Sequence, residues 1–413
     1  MPVGRAGTLQ GAHVSQQLAI HPLSFVEQGE DVVVGRVDTG SYAVLPSDGA
    51  RLLQKLTDGM TVAEAAEWYE TTFDEAVDMD EFVDALTELG FVRDGADVQT
   101  PLAAPRFQWL GNALFSPMAW VVYLLLAVAW LVVTCVHQDL RPHPSQIFFT
   151  GSLVAMQATL TLSQIPLLFL HEGFHVLAGQ RLGLHSKLNV SNRYGYIVFE
   201  TQTNGLLSVP RRKRYLPFLA GMTLDVVMVC LLGLVAELTR DGDGGLSIVG
   251  KACLGIAFTV ILRLAWQFQL YLQTDLYYVF STALSCHDLH VASKAITMNR
   301  IWRRLGKLNK LVDENQWTER DRKVGSWYGI LLGFGLLSAA VLAVFASIPI
   351  AVSYLETIYR HLVSGRFDAH FWDALLSVSV NAGEFLIVLF LSRRKRRMNA
   401  GRAPRLLVEE SVV

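Results

Sequence analysis

Cysteine is scarce and scattered: Cys135, Cys230, Cys253 and Cys286 are the only four in 413 residues, mostly inside or beside apolar segments. That usage excludes a disulfide framework and a cysteine-based zinc site. Charge is scarce too. Charged residues make up 17% of the chain against 52% hydrophobic, with a mean hydropathy of +0.33, which excludes an ordinary soluble composition and describes a polytopic membrane protein. The first residues lack the basic-then-apolar pattern of a signal peptide, so the N-terminal hundred are expected to stay in the cytoplasm. Those hundred residues are also short of base. They hold 18 Asp/Glu against 5 Lys/Arg, a balance of −13, while the remainder holds 19 against 30, a balance of +11.

The expected fold is mainly α: a transmembrane helical bundle of about six spans behind a small N-terminal α+β domain. Residues 1–19 read as a tail and 20–94 as the small domain. Within it, 31–37 and 41–45 read as strands joined by Asp38-Thr39-Gly40, and 48–56, 61–72 and 78–89 as helices. Thr61 and Glu64 have capping-box spacing, and Gly59 and Gly90 suit helix termini. Residues 91–93 are expected to return as a third strand. This order is winged-helix-like, but the acid excess argues against phosphate contact, so no nucleic-acid partner is expected. Residues 95–117 read as a linker or interfacial segment, 118–392 as the membrane domain and 393–413 as a basic tail.

Six apolar segments, at about 118–137, 150–180, 215–238, 250–280, 325–352 and 371–392, approach the ~20 residues needed to cross a bilayer. The second and fourth are overlong, which predicts tilt, a break or an interfacial extension. Basic clusters at 211–214, 294–323 and 393–397 fall on one side of a six-span topology, and the positive-inside rule makes that side cytoplasmic. The expected location is the cytoplasmic membrane with both termini inside, and the bilayer is the first partner. His185, Cys286, His287 and His290 have no regular ligand spacing and read as solvated loop residues.

Against that background His171-Glu172-Gly173-Phe174-His175 stands out, because no charged side chain occurs from Ile147 to Leu170. Ionisable groups at membrane depth are costly, face protein or trapped water, and usually have a task. Residues i and i+4 share a helix face, so His171 and His175 can bind one metal ion with Glu172 beside a metal-bound water. A catalytic zinc keeps three protein ligands and one open position. Two acids at comparable depth could be the third: Asp275, near the inner end of the fourth segment, and Asp225, inside the third. Zn2+ would bring the pKa of its water toward ~7, and Glu172 would act as general base and then acid. Between spans two and three, residues 187–203 read as a hairpin. Tyr196 and Val198 are placed on an edge that either receives an extended substrate or merely covers the loop.

The metal motif on a membrane helix, the hairpin after it, Ala220-Gly221 entering the next span and Asp275 on the span after that resemble the site-2 protease family of intramembrane zinc metalloproteases, over roughly residues 145–290. Within that family the chain is most similar to the peptide zinc metalloproteases found beside bacterial peptide-modification systems. The resemblance implies His171, His175 and Asp275 as zinc ligands and Glu172 as catalytic acid/base. The usual Leu-Asp-Gly at the third ligand is Thr274-Asp275-Leu276 here. Residues 20–94 resemble PqqD-like peptide-recognition domains through Leu56-Thr57-Asp58-Gly59-Met60-Thr61-Val62 and Leu89-Gly90-Phe91-Val92. That implies binding of a precursor's leader as an added strand; the other reading is a structural or regulatory cap. The expected activity is hydrolysis of a peptide bond in a peptide or membrane-associated precursor, in maturation of a ribosomally made peptide. Clipping of a membrane-anchored signalling protein, and a non-catalytic exporter or immunity-type membrane protein, are the alternatives.

Overall fold

The computed structural model describes residues 17–28, 31–36, 39, 41–93, 105–193, 196–203, 205–286, 289–317, 319–363 and 367–400. The chain divides into two units: Met1–Gln108 with Leu182–Ser186 and Thr203–Arg214, and Trp109–Arg181 with Lys187–Gln202 and Tyr215–Val413.

The first unit opens with an antiparallel meander, β1 (Ser24–Gln28), β2 (Asp31–Arg36) and β3 (Ser41–Pro46), in which Val33 pairs with Val26 on one side and Val44 on the other. The β-branched run Val32-Val33-Val34 suits a central strand, and both Val33 and Val34 are fully buried. Three helices follow: α1 (Ser47–Thr57), α2 (Val62–Phe73) and α3 (Met79–Glu88). Thr61 caps α2 in a full capping box, its hydroxyl accepting from the Glu64 amide while the Glu64 carboxylate accepts from the Thr61 amide at 2.9 Å. Asp78 caps α3 by accepting from the amides of Asp80 and Glu81. Leu52, Leu53, Leu56, Val62, Ala65, Leu86 and Phe91 close the core on Val34.

Two sequence expectations change here. The third strand precedes the expected pair, as β1, and residues 91–93 do not join the sheet. Phe91 is fully buried among the helices, and the segment pairs instead with the stretch ahead of β1, through the Ile20–Val92 bridge and a 2.7 Å bond from the Arg93 amide to the Ala19 carbonyl. The helices, the capping box and the helix-ending glycines stand where expected, with Gly59 at φ 99° and Gly90 at φ 69°. The expected turn at 38–40 (Thr39 apart), most of the 1–19 tail, residues 95–104 of the expected 95–117 segment and residues 401–413 lie outside the described residues.

The second unit is that of a multi-pass membrane protein, with six helices among the described residues long and apolar enough to cross. In an apolar medium every backbone group must be paired internally, which is why these segments are helical. After the short α4 (Gln108–Leu114) come α5 (Pro117–Val136), α6 (Leu153–Arg181), the two-stranded β4 (Ser186–Arg193) and β5 (Tyr196–Thr203), α7 (Arg211–Leu238) and α8 (Ile248–Trp266). The overlong second segment is one 29-residue helix with Pro166 inside it. The overlong fourth breaks after Trp266, turns through Leu270–Leu272 and a left-handed Gln273 (φ 54°), and restarts as α9 (Asp275–Leu284). α10 (Leu289–Arg304) and α11 (Glu319–Gly325) lead to α12 (Tyr328–Leu342). A π-turn at Ala343–Ser347 joins α12 to α13 (Ile348–Val363), and α14 (Ala369–Ala400) follows. The fifth span therefore runs eleven residues past its expected end, from 352 to Val363. Tyr354, Ile358 and Leu362 pack onto the core of Ile147, Leu153, Met156 and Phe258, which keeps the chain helical there.

α14 also fixes the start of α6. Asp373 accepts from the Ser152 hydroxyl at 2.6 Å and from the amides of Leu153 at 2.6 Å and Val154 at 3.2 Å, capping a helix 220 residues earlier in the chain. Further along, Gln157, Tyr354, Ser377 and Asn381 bond one another across three helices, giving Asn381 a packing role.

One ionisable contact in the first unit makes a pH-dependent prediction. The Tyr69 hydroxyl donates to Asp48, which holds that carboxyl below its ordinary value and pushes the tyrosine up to about 12. A carboxyl whose folded pKa is depressed adds stability above its unfolded pKa and loses it as pH falls through the folded one. Tyr69→Phe should therefore weaken the unit by about 1 kcal/mol near neutral pH. Hydrogen exchange of α1 and α2 should show that deficit shrinking once the pH drops below about 4.

Candidate functional site

α6 carries His171, Glu172 and His175 on its second half, and all three are buried, at 3%, 8% and 8% exposure. Helical spacing stacks the two imidazoles on one face, with their Nε2 atoms 3.2 Å apart. The break after α8 brings Asp275 to them as the first residue of α9. Its Oδ2 lies 3.4 Å from His171 Nε2 and 3.3 Å from His175 Nε2. Among the described residues this is the one close group of three metal-type donors.

The far nitrogens of both rings are engaged. His171 Nδ1 donates to Asp225 Oδ2 at 3.0 Å, and His175 Nδ1 donates to the Pro217 carbonyl at 2.7 Å. With the protons held on Nδ1, each neutral ring points an Nε2 lone pair at the carboxylate oxygen of Asp275. Two lone pairs and an anion meeting at one point call for positive charge there, either a cation or added protons. The spacing suits a cation: a tetrahedral ion with bonds of 2.0–2.1 Å needs donors about 3.3 Å apart. The two acids that the sequence left open thus take different places, Asp275 on the shared Nε2 side and Asp225 behind His171.

Gly221 on α7 supplies the floor. A Cβ built there would stand 2.3 Å from His175 Nε2 and 2.4 Å from His171 Nε2, so the backbone approaches the converging nitrogens as closely as it can without a side chain. The cradle in front of these donors exists only because residue 221 is glycine. Donor types, their spacing and this cradle together fit a metal ion of zinc's size.

Asp225 is wholly buried, and its charge is answered by Arg263 of α8, which reaches both carboxylate oxygens with Nε and Nη2. Arg263 Nη1 continues to Gln164 of α6 at 3.1 Å, and Gln164 donates to Thr259 at 2.6 Å. This chain of bonds ties α6, α7 and α8 together behind His171 and fixes its ring orientation, as the partners of metal-ligating histidines generally do. Sequence reasoning passed over Arg263 and Gln164. The available signal was the same one that drew attention to Asp225, a charge of opposite sign at matching depth in the adjacent span.

The other candidates lie elsewhere or only partly in view. Tyr196 and Val198 sit on β5, which pairs with β4, but their side chains lie outside the described residues. His287 is outside them too. His290 is not a solvated loop residue: it belongs to α10, its ring stands edge-on to Tyr277 and Tyr328, and burial pushes it below its ordinary pKa. Cys286 is buried as well. No family model, curated protein or solved structure matches the chain.

Gly221→Ala fills the cradle. The added methyl would displace two buried, hydrogen-bonded imidazoles, so melting should fall despite alanine's better helix propensity, and divalent metal bound per folded chain, measured by elemental analysis, should fall at least tenfold. Arg263→Leu instead strands the buried Asp225 carboxylate, and thermal melting should report a loss of about 3 kcal/mol or more.

Proposed function

We propose that the chain is a membrane-embedded zinc peptidase that hydrolyses a peptide bond in a peptide or membrane-associated precursor, as its resemblance to the site-2 protease family implies. One observation carries the reading: two imidazoles with their Nδ1 atoms bonded away, their Nε2 atoms 3.2 Å apart, present both to one carboxylate at 3.3–3.4 Å, over a glycine that leaves the space between them open. A zinc ion held by His171, His175 and Asp275 would supply Lewis acidity, polarising the scissile carbonyl and bringing the pKa of a water toward ~7.

The residues of the chain do the rest. Glu172, buried between the two histidines in sequence, takes the proton of the attacking water and returns it to the departing nitrogen, so that the C–N bond breaks to a carboxylic acid and an amine. Asp225 and the Pro217 carbonyl hold the two rings in one tautomer through this transfer. Burial keeps bulk water from competing and strengthens each electrostatic contact.

Peptide capture is assigned to strand edges. β3 is an edge of its sheet, and an extended peptide can extend such an edge by backbone pairing. The acid excess of the first hundred residues suits a basic leader segment, which supports the PqqD-like reading of this unit. The β4–β5 pair, with Tyr196 and Val198, is the corresponding candidate near the membrane. The three basic clusters support a cytoplasmic membrane location with both termini inside.

In full-length protein in nanodiscs, Glu172→Gln should keep its zinc and lose hydrolysis of an unstructured test peptide by about 10²–10⁴-fold. Asp275→Ala should lose the metal. Undiminished cleavage by Glu172→Gln would remove the peptidase reading, and full zinc in Asp275→Ala would move the third ligand elsewhere.

A further inference from the structure

α10 has two apolar faces, and among the described residues one packs into the protein while the other is exposed. Leu289, Ala292 and Ile296 are buried, with Leu289 in the cluster that holds Val324 and Tyr328. On the opposite side Val291, Met298, Ile301 and Leu305 recur at seven, three and four residues, the repeat of one helical stripe, and Leu308 extends it past the helix end. Val291, Ile301, Leu305 and Leu308 are 45%, 42%, 59% and 66% exposed.

Cations border this stripe, and Lys294 stands within it, between Val291 and Met298. From residue 289 to 317 there are six Lys/Arg against two Asp/Glu, and Arg303 is paired with Glu314 at 3.1 Å. Lys294, Arg300, Arg304, Lys307 and Lys310 are all exposed. Trp302 lies under two of them, with the Lys307 and Lys310 ammonium groups 5.5 and 4.9 Å from its ring centroid. Apolar stripe, cationic rim and an amphipathic tryptophan form the combination that lies in a membrane interface. Covalent connection adds a constraint, because the segment is tied at one end to the spanning helix that finishes at Trp266 and at the other to the span that begins within α12.

We propose that α10 and the turn after it form an in-plane element docked on the anionic headgroup layer of the bilayer that the chain crosses. The stripe Val291–Ile301–Leu305–Leu308 enters the acyl boundary, while Arg304, Lys307 and Lys310 extend their stems along it and place their charges at lipid phosphates. This element is independent of the metal site and of the peptidase reading. An anionic lipid surface satisfies both the apolar and the cationic component, whereas a protein partner would have to supply a matching acidic rim around an apolar groove.

The test uses the full-length protein with photoreactive benzoylphenylalanine in place of Leu305 or Leu308, in nanodiscs of phosphatidylcholine alone or with one-third phosphatidylglycerol. Irradiation followed by mass spectrometry should show phospholipid adducts at both positions. Their yield should rise at least threefold with phosphatidylglycerol and return to the phosphatidylcholine level in Arg304→Gln/Lys307→Gln/Lys310→Gln. Hydrogen exchange of residues 289–308 should slow in parallel. Absence of lipid adducts, equal yields in the two bilayers, or adducts to another protein chain in their place would each overturn the proposal.

Discussion

Asp225 carries a charge at the centre of an apolar bundle, and the way that charge is answered organises the membrane unit. An unpaired carboxylate there would be far too costly to keep, so Arg263 comes to it from α8 and His171 from α6. Gln164 then takes up a remaining guanidinium hydrogen, and Thr259 accepts from Gln164. Three spanning helices are thereby locked in register by polar bonds where hydrophobic contact alone would let them slide. The same lock orients His171, so the bonds that stabilise the bundle also aim the imidazole. Structure and candidate chemistry share one network, and neither can be changed without the other.

A second constraint comes from the chain break between α8 and α9. An uninterrupted fourth helix would carry Asp275 nine residues beyond Trp266 along its axis. Ending the helix there, turning through Leu270–Leu272 and using a left-handed Gln273 instead returns Asp275 to the histidines. The Gln267 side chain accepts from the Asp275 amide at 3.1 Å and the Gln267 carbonyl accepts from the Thr274 hydroxyl, which closes the turn with local bonds. Non-helical backbone near a membrane is tolerated where it lines a protein interior, as here.

These particulars also separate what the amino-acid order displays from what it hides. The Thr61–Glu64 capping box, the i, i+4 histidines and the six apolar runs are local patterns, and local patterns can be read directly. An overlong fourth segment announced a break, and an acid beyond it announced a candidate ligand. β1 was hidden because its residues alternate weakly, and α13 because its helix is sustained by packing on residues some 200 positions away. The Pro217 carbonyl and the Asp373 cap were invisible for the same reason, whereas Arg263 showed only as a charge at the depth of Asp225. Each acts through a contact between distant segments, and a backbone carbonyl has no signature in sequence at all.

The account rests on Asp275, His171 and His175 forming one metal-binding group. X-ray absorption at the zinc edge of the purified full-length protein tests this most directly. The prediction is one zinc per chain with only nitrogen and oxygen neighbours at about 2.0–2.2 Å and a scattering signature of two imidazoles, reduced to background in His175→Ala. Sulfur in the first coordination sphere, or zinc retained unchanged by His175→Ala, would contradict it.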